Sequence, residues 1–198
     1  MRTKLGCLLL MVLLTACVPM GMARPPELPA DTTQLSIVGV SFAAPGGPGW
    51  FVKTRERYSL EVVKWGQSQD ETIVLNAYIF HAPAPVPGKD FVEQVKEAEA
   101  ADTDPKRFTM RVHEVTPVMV GNTACAHSHM VTEDAAPENS THQPMILEIL
   151  SLNCPHPDDP RAAFNVGYSQ RAYPGHQDPD FMQKAITILD SVQITKLQ

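Results

Sequence analysis

Thr123-Ala124-Cys125-Ala126-His127-Ser128-His129-Met130-Val131-Thr132 holds neither Gly nor Pro, and Met145-Ile146-Leu147-Glu148-Ile149-Leu150-Ser151-Leu152-Asn153-Cys154 matches it in length. An acidic polar stretch, Glu133 to Ser140, separates the two. Two long runs joined by a loop of turn-forming residues predict a pair of antiparallel strands. Cys125 and Cys154 then lie on neighbouring strands or strand ends.

Strand patterning extends in both directions from this pair. Gln34 to Phe42 carries Leu35, Ile37, Val40 and Phe42 and is expected to be one strand. Pro45-Gly46-Gly47-Pro48-Gly49 breaks it, lacks the Lys-Ser/Thr of a phosphate loop, and returns Trp50 and Phe51 to the core. Arg57 to Lys64 and Thr72 to His81 alternate as the arms of a hairpin. The period then changes. Asp90 with Glu93 three residues later makes a capping box, and Phe91, Val95 and Ala98 recur at helical spacing as far as Ala101. Lys96, Ala100 and the flanking acids suit a solvated surface. Lys106 to Val120 returns to strand character around Pro117, and Gly121-Asn122 turns the chain into the opening stretch. After Cys154, Pro155 to Pro160 is expected to be a loop and Ala163 to Ala172 a strand. Asp178 as N-cap with Pro179 at the first helical position starts a second helix bearing Phe181, Ala185 and Leu189 on one face. Ser191 to Thr195 closes the chain as a short strand.

This order predicts an α+β fold: a single antiparallel β-sheet with two helices packed on it, over residues 34–198. In element order, in the Gly49-Trp50 entry after the first strand and in the closing Phe181…Ile188-Leu189-Asp190-Ser191-Val192 turn, the chain resembles the PsbP-like α/β/α sandwich family, which includes bacterial lipoproteins. Members of that family mainly bind or support assembly, so the resemblance implies a non-enzymatic role. It assigns no site residues.

The amino terminus says where such a domain would reside. Arg2 and Lys4 precede an apolar run from Leu5 to Leu14, the length of a signal-peptide core and too short to span a bilayer. Leu14-Thr15-Ala16-Cys17 at its end resembles the lipobox of bacterial lipoproteins. The resemblance implies a signal peptide over residues 1–16, cleavage before Cys17, and acylation of Cys17 on its thiol and new amino group. Val18 in place of Asp implies sorting to the outer membrane, facing the periplasm. Gly21-Met22-Ala23 also offers an ordinary secretory cleavage site, which would release a soluble protein. Residues 17–33, with Pro19, Pro25, Pro26 and Pro29, are expected to form an extended tether.

A hydrophobic content of 43% suffices for a core. Loss of Arg2 and Lys4 moves the formal charge from −6 to −8, which disfavours nucleic acid and anionic lipid as partners. Membrane attachment is therefore expected through lipid. The remaining partners are an envelope protein, a polysaccharide or a small ligand. Cys7 leaves with the signal and Cys17 is lipidated, so Cys125 and Cys154 are expected to pair in an oxidising compartment.

The best chemical candidate is Cys125-Ala126-His127-Ser128-His129. Alternate residues of a strand share a face, so Cys125, His127 and His129 point together, and His156 can approach if the strands pair. Such a set suits zinc or copper, which makes a periplasmic metal-binding protein the alternative function. A Cys125–Cys154 disulfide opposes it by removing thiolates. No Gly-x-Ser-x-Gly or His-Glu-x-x-His motif occurs, and neither an enzymatic activity nor a cofactor is expected.

Overall fold

A computed structural model describes residues 25–82, 86–135, 141 and 143–197. The expected signal peptide, Cys17 and the expected tether up to residue 24 lie outside the described residues. The strands are β1 (Gln34–Ile37), β2 (Val40–Ala43), β3 (Phe51–Arg55), β4 (Ser59–Trp65), β5 (Thr72–His81), β6 (Phe108–Val120), β7 (Thr123–Asp134), β8 (Met145–His156), β9 (Asp159–Ala172) and β10 (Gln193–Ile194), with helices α1 (Phe91–Asp102) and α2 (Phe181–Asp190). The fold is α+β with antiparallel strands and two helices, as expected. The strands divide between two sheets: seven in the order β3-β4-β5-β9-β8-β7-β6, and three in the order β1-β2-β10.

Two antiparallel meanders build the large sheet, β3-β4-β5 and β6-β7-β8-β9, joined where β9 pairs with β5 along Thr72↔Arg171 to His81↔Ala162. Alternation assigns its two faces. Leu60, Val62, Leu75, Ala77, Leu150, Leu152, Phe164, Val166 and Tyr168 share one face and are almost fully buried. Phe181, Ala185, Ile188 and Leu189 of α2 cover it, together with Leu35, Ile37, Val40 and Phe42 of the small sheet. Tyr168 stacks on Phe181 at 5.4 Å and meets Trp50 at 6.3 Å. Burying each such side chain contributes about 1.5–3 kcal/mol, so this core face dominates stability.

The connection from β5 runs through α1 to β6, the far edge of the sheet, and α1 packs on β6 and β7. It lies over the opposite face. Its N-terminus is the expected capping box: Glu93 N donates to Asp90 Oδ1 at 2.8 Å, and Asp90 N donates to a Glu93 carboxylate oxygen at 3.2 Å.

Several local expectations are corrected. The first strand is a hairpin folded at Val38-Gly39, where Gly39 has φ +78° and a Cβ would sit 2.9 Å from Leu197 Cδ2. Phe51 to Arg55 is a full strand rather than only a return to the core. The Pro155–Pro160 loop shrinks to Pro157-Asp158, because β8 continues to His156 and β9 begins at Asp159. The second helix starts at Phe181 with Asp180 at its cap. Asp178 instead accepts from Asp180 N at 3.0 Å and from Lys184 Nζ at 2.6 Å. The tether is docked from Pro26 onward: Leu28 N donates to Trp50 O and Val52 N to Pro26 O, both at 2.8 Å, and Leu28 enters the core. The chain there extends the edge beside β3, satisfying backbone groups that β3 would otherwise expose.

Candidate functional site

Cys125 and Cys154 are disulfide-bonded across β7 and β8 with Cα atoms 4.4 Å apart. The register Ala126↔Asn153 places them directly opposite, and the spacing is that of a non-hydrogen-bonded antiparallel pair, about 4.5 Å. His127 and His129 share the core face with Cys125, as alternation requires, yet they serve different neighbours. His127 borders Leu152, Leu189 and Asp190. Burial and the neighbouring His129 depress its pKa, against an opposing pull from Asp190. His129 Nε2 meets Glu148 Oε1 at 3.0 Å, and the second oxygen of Glu148 accepts from Gln170 Nε2 at 2.8 Å.

His156 does not approach them. It is 2% exposed; Nε2 faces Thr195 O at 3.1 Å and Gly39 O at 3.3 Å, while Nδ1 accepts from Asp158 N at 3.2 Å. Nε2 thus pins the chain end and the β1–β2 turn, and Nδ1 is taken up by the β8–β9 turn. The expected metal set of Cys125, His127, His129 and His156 is therefore not assembled. Among the described residues, no three His, Cys, Asp or Glu side chains converge to hold an ion.

The other face of the sheet carries the candidate site. Between α1 and β5, β9, β8 and β7 lies a cleft of about 360 Å³. Its volume falls within the roughly 300–1,000 Å³ usual for small-molecule sites. Alternation again supplies the floor: Asn76, Ser128, Thr132, Ser151, Asn165 and Ser169 all point away from the core, with Ile149 and Leu147 between them. Gly167 sits in the middle. A Cβ there would lie 2.5 Å from Asn76 Oδ1, so the Asn76 side chain lies across this strand only because residue 167 lacks one.

The helix contributes charge. Glu99 Oε2 accepts from Ser128 Oγ at 2.7 Å and from His113 Nε2 at 3.0 Å, and Asp102 and Thr103 complete the helical wall. Tyr78 and Phe108 add aromatic surface. Burial, then the charges of Glu99 and Asp102, raise the Tyr78 pKa and keep its phenol protonated as a donor. Asn165 Nδ2 donates to Asn153 Oδ1 at 2.9 Å, which orients the amide next to the floor. Thr132, 1% exposed, has no hydrogen-bond partner for its hydroxyl among the described residues. Among the described residues, no Lys or Arg lines the cleft. Farther along the same face, Arg107 and Arg171 are held by the buried Asp134 at 2.8 and 2.7 Å.

Sequence reasoning missed this site. The polar residues at alternate positions of β7, β8 and β9 were its signal, but alternation alone reads as a solvated face. Glu99 belonged to the Ala/Glu-rich surface that was expected to face solvent, and it turns inward instead. No protein-family model matches the sequence, and no curated protein matches it significantly. Among solved structures, the chain is similar to one from Bacteroides thetaiotaomicron VPI-5482 determined at 1.50 Å, with 13% identity and a TM-score of 0.41. The match covers 83% of this chain and 48% of that one, so the chain spans about half the length of its structural neighbour.

Proposed function

We propose that this chain is a lipid-anchored cell-envelope protein acting as a non-enzymatic binding module, with a small polar ligand held between α1 and the sheet. The observation that carries the reading is the cleft itself: a pocket of ligand size floored by amides and hydroxyls on strands of a rigid sheet. The arrangement suits binding better than nucleophilic catalysis. In a serine nucleophile site the imidazole touches the hydroxyl and the carboxylate orients the imidazole. Here Glu99 stands between Ser128 and His113, so the hydroxyl meets the carboxylate and not the imidazole. The lipobox-like Leu14-Thr15-Ala16-Cys17 supports attachment to the envelope through Cys17.

A protein-observed NMR screen of polar fragments against the full chain in detergent tests the site. Shift changes centred on Asn76, Asn165, Gly167 and Ser169 are expected. Changes centred elsewhere, or turnover of a substrate abolished by Ser128→Ala without unfolding, overturn the reading. Mass spectrometry of the amino-terminal peptide from envelope membranes should find an acylated Cys17, and Cys17→Ser should release the protein.

A further inference from the structure

We infer that the cleft takes an uncharged sugar residue and turns away anionic ligands, an inference that rests on the cleft being the binding site. A sugar presents hydroxyls that each donate and accept, on a ring whose C–H faces are apolar. The cleft supplies complements to both. Asn76 and Asn165 offer a donor and an acceptor each, and the side-chain hydroxyls of Ser151 and Ser169 rotate to suit either role. Tyr78 and Phe108 give the aromatic surface on which a C–H face packs.

Two further observations narrow the class. The Thr132 hydroxyl is buried in the floor without a partner among the described residues, and a buried unpaired hydroxyl is costly unless a ligand or water meets it. A ligand hydroxyl at that point would satisfy it. Glu99 and Asp102 stand on the helical wall with no Lys or Arg among the described lining residues, so a carboxylate or phosphate entering the cleft meets repulsion and no cationic partner there. Ser128 and His113 both hold one oxygen of Glu99, Oε2, which fixes that carboxylate on the wall, so the test includes a cation without hydroxyls.

The test titrates the full chain, by NMR and calorimetry, with glucose, galactose, mannose and N-acetylglucosamine, with glucuronic acid as anion and putrescine as a cation lacking hydroxyls. At least one neutral sugar should bind in the cleft, and its uronic acid counterpart about tenfold more weakly or worse. Thr132→Val keeps the shape and should weaken the neutral sugar about fivefold. Glu99→Gln with Asp102→Asn should narrow the discrimination against glucuronic acid. Comparing the best monosaccharide with its trimer separates the sources: a tighter trimer indicates a glycan, equal affinity a free sugar, and either supports the sugar class. Binding of putrescine alone, equal binding of the anion, or an unchanged affinity in Thr132→Val overturns the inference. If polar fragments map to the cleft while every sugar fails, the sugar class falls and the binding module stands. If nothing maps to the cleft, both fall.

Discussion

The two faces of the seven-stranded sheet are written in the same strands and do opposite work. Along β9, Phe164, Val166 and Tyr168 face α2 and the small sheet, while Asn165, Gly167 and Ser169 face α1. Along β8 the same division separates Leu150, Leu152 and Cys154 from Ile149, Ser151 and Asn153. The core face is sealed by an amphipathic helix contributing four buried side chains. The other is crossed by a helix whose buried residue is Val95 alone, with Glu99 reaching the sheet by hydrogen bonds. An apolar face recruits a cover that packs its own apolar side chains against it. A polar face covered by a weakly amphipathic helix leaves a cleft. The difference in what covers each face, rather than in the strands, separates the stabilising half of the molecule from the half available to a ligand.

The sharpest way to break the comparison is to truncate neighbouring residues on opposite faces. Phe164→Ala should cost about 3–5 kcal/mol in urea unfolding, from lost burial and the cavity it leaves. Asn165→Ala should cost only about 1–3 kcal/mol, the penalty of leaving the Asn153 amide oxygen unpaired. Equal costs would mean that the two faces share one core. Next in size is the disulfide on the core face. Its two half-cystines are 29 residues apart, and replacing both with Ser should cost on the order of 3–4 kcal/mol by the chain-entropy relation, or less if the unfolded chain is compact. Unfolding with and without reductant gives the same comparison without mutation.

Legibility in the sequence follows the same division. The capping box at Asp90 and Glu93, the alternation of β5 and the equal runs around Cys125 and Cys154 specified their elements, because each signal is local. The hairpin at Gly39 was hidden because Val38 and Val40 continue the apolar pattern through the turn. The second helix was started two residues early because Asp178-Pro179 imitates a cap, while Asp178 is held by Lys184 and by the backbone of Asp180. The expected metal set failed on partners rather than on spacing. His127 and His129 do share a face, yet His156 is bound to backbone carbonyls contributed by residues 39 and 195. The cleft was illegible for a related reason. Alternation says which residues share a face, but what lies over that face depends on where α1 crosses, and α1 carries no strong apolar stripe to announce it.

Gly167 tests whether the cleft face tolerates ordinary strand packing. A methyl group there would meet Asn76 Oδ1 at 2.5 Å, so Gly167→Ala should push the Asn76 side chain off the floor at a cost of about 1–3 kcal/mol. Asn76→Ala removes the obstruction, so the double variant should be more stable than the sum of the two single changes predicts. A strictly additive pair would show that Gly167 is required for backbone reasons alone.

The smallest expected effect returns to the core face through pH. The pKa of His127 is depressed in the folded protein by burial and by His129, so the unfolded chain binds the proton more readily. Stability then rises with pH wherever the unfolded state holds more protons. This contribution is complete above the ordinary histidine range and is lost as pH falls from that range towards the folded-state pKa. Glu71 adds to the acid side at lower pH. Burial pushes its pKa up, but hydrogen bonds from His176 and from the backbone of Tyr173 and Ser68 outweigh it and hold it below the ordinary value. Its contribution is present above the unfolded carboxylate range and disappears as pH falls through the folded pKa. A melting-temperature profile should therefore decline in two stages on acidification. His127→Asn should flatten the upper stage and leave the lower one, whereas Glu71→Gln should shrink the lower stage, to which Asp178, also held below its ordinary value, contributes as well. A profile unchanged by His127→Asn would show that the imidazole is as well solvated folded as unfolded, and that the core face is wetter beside α2 than its packing implies.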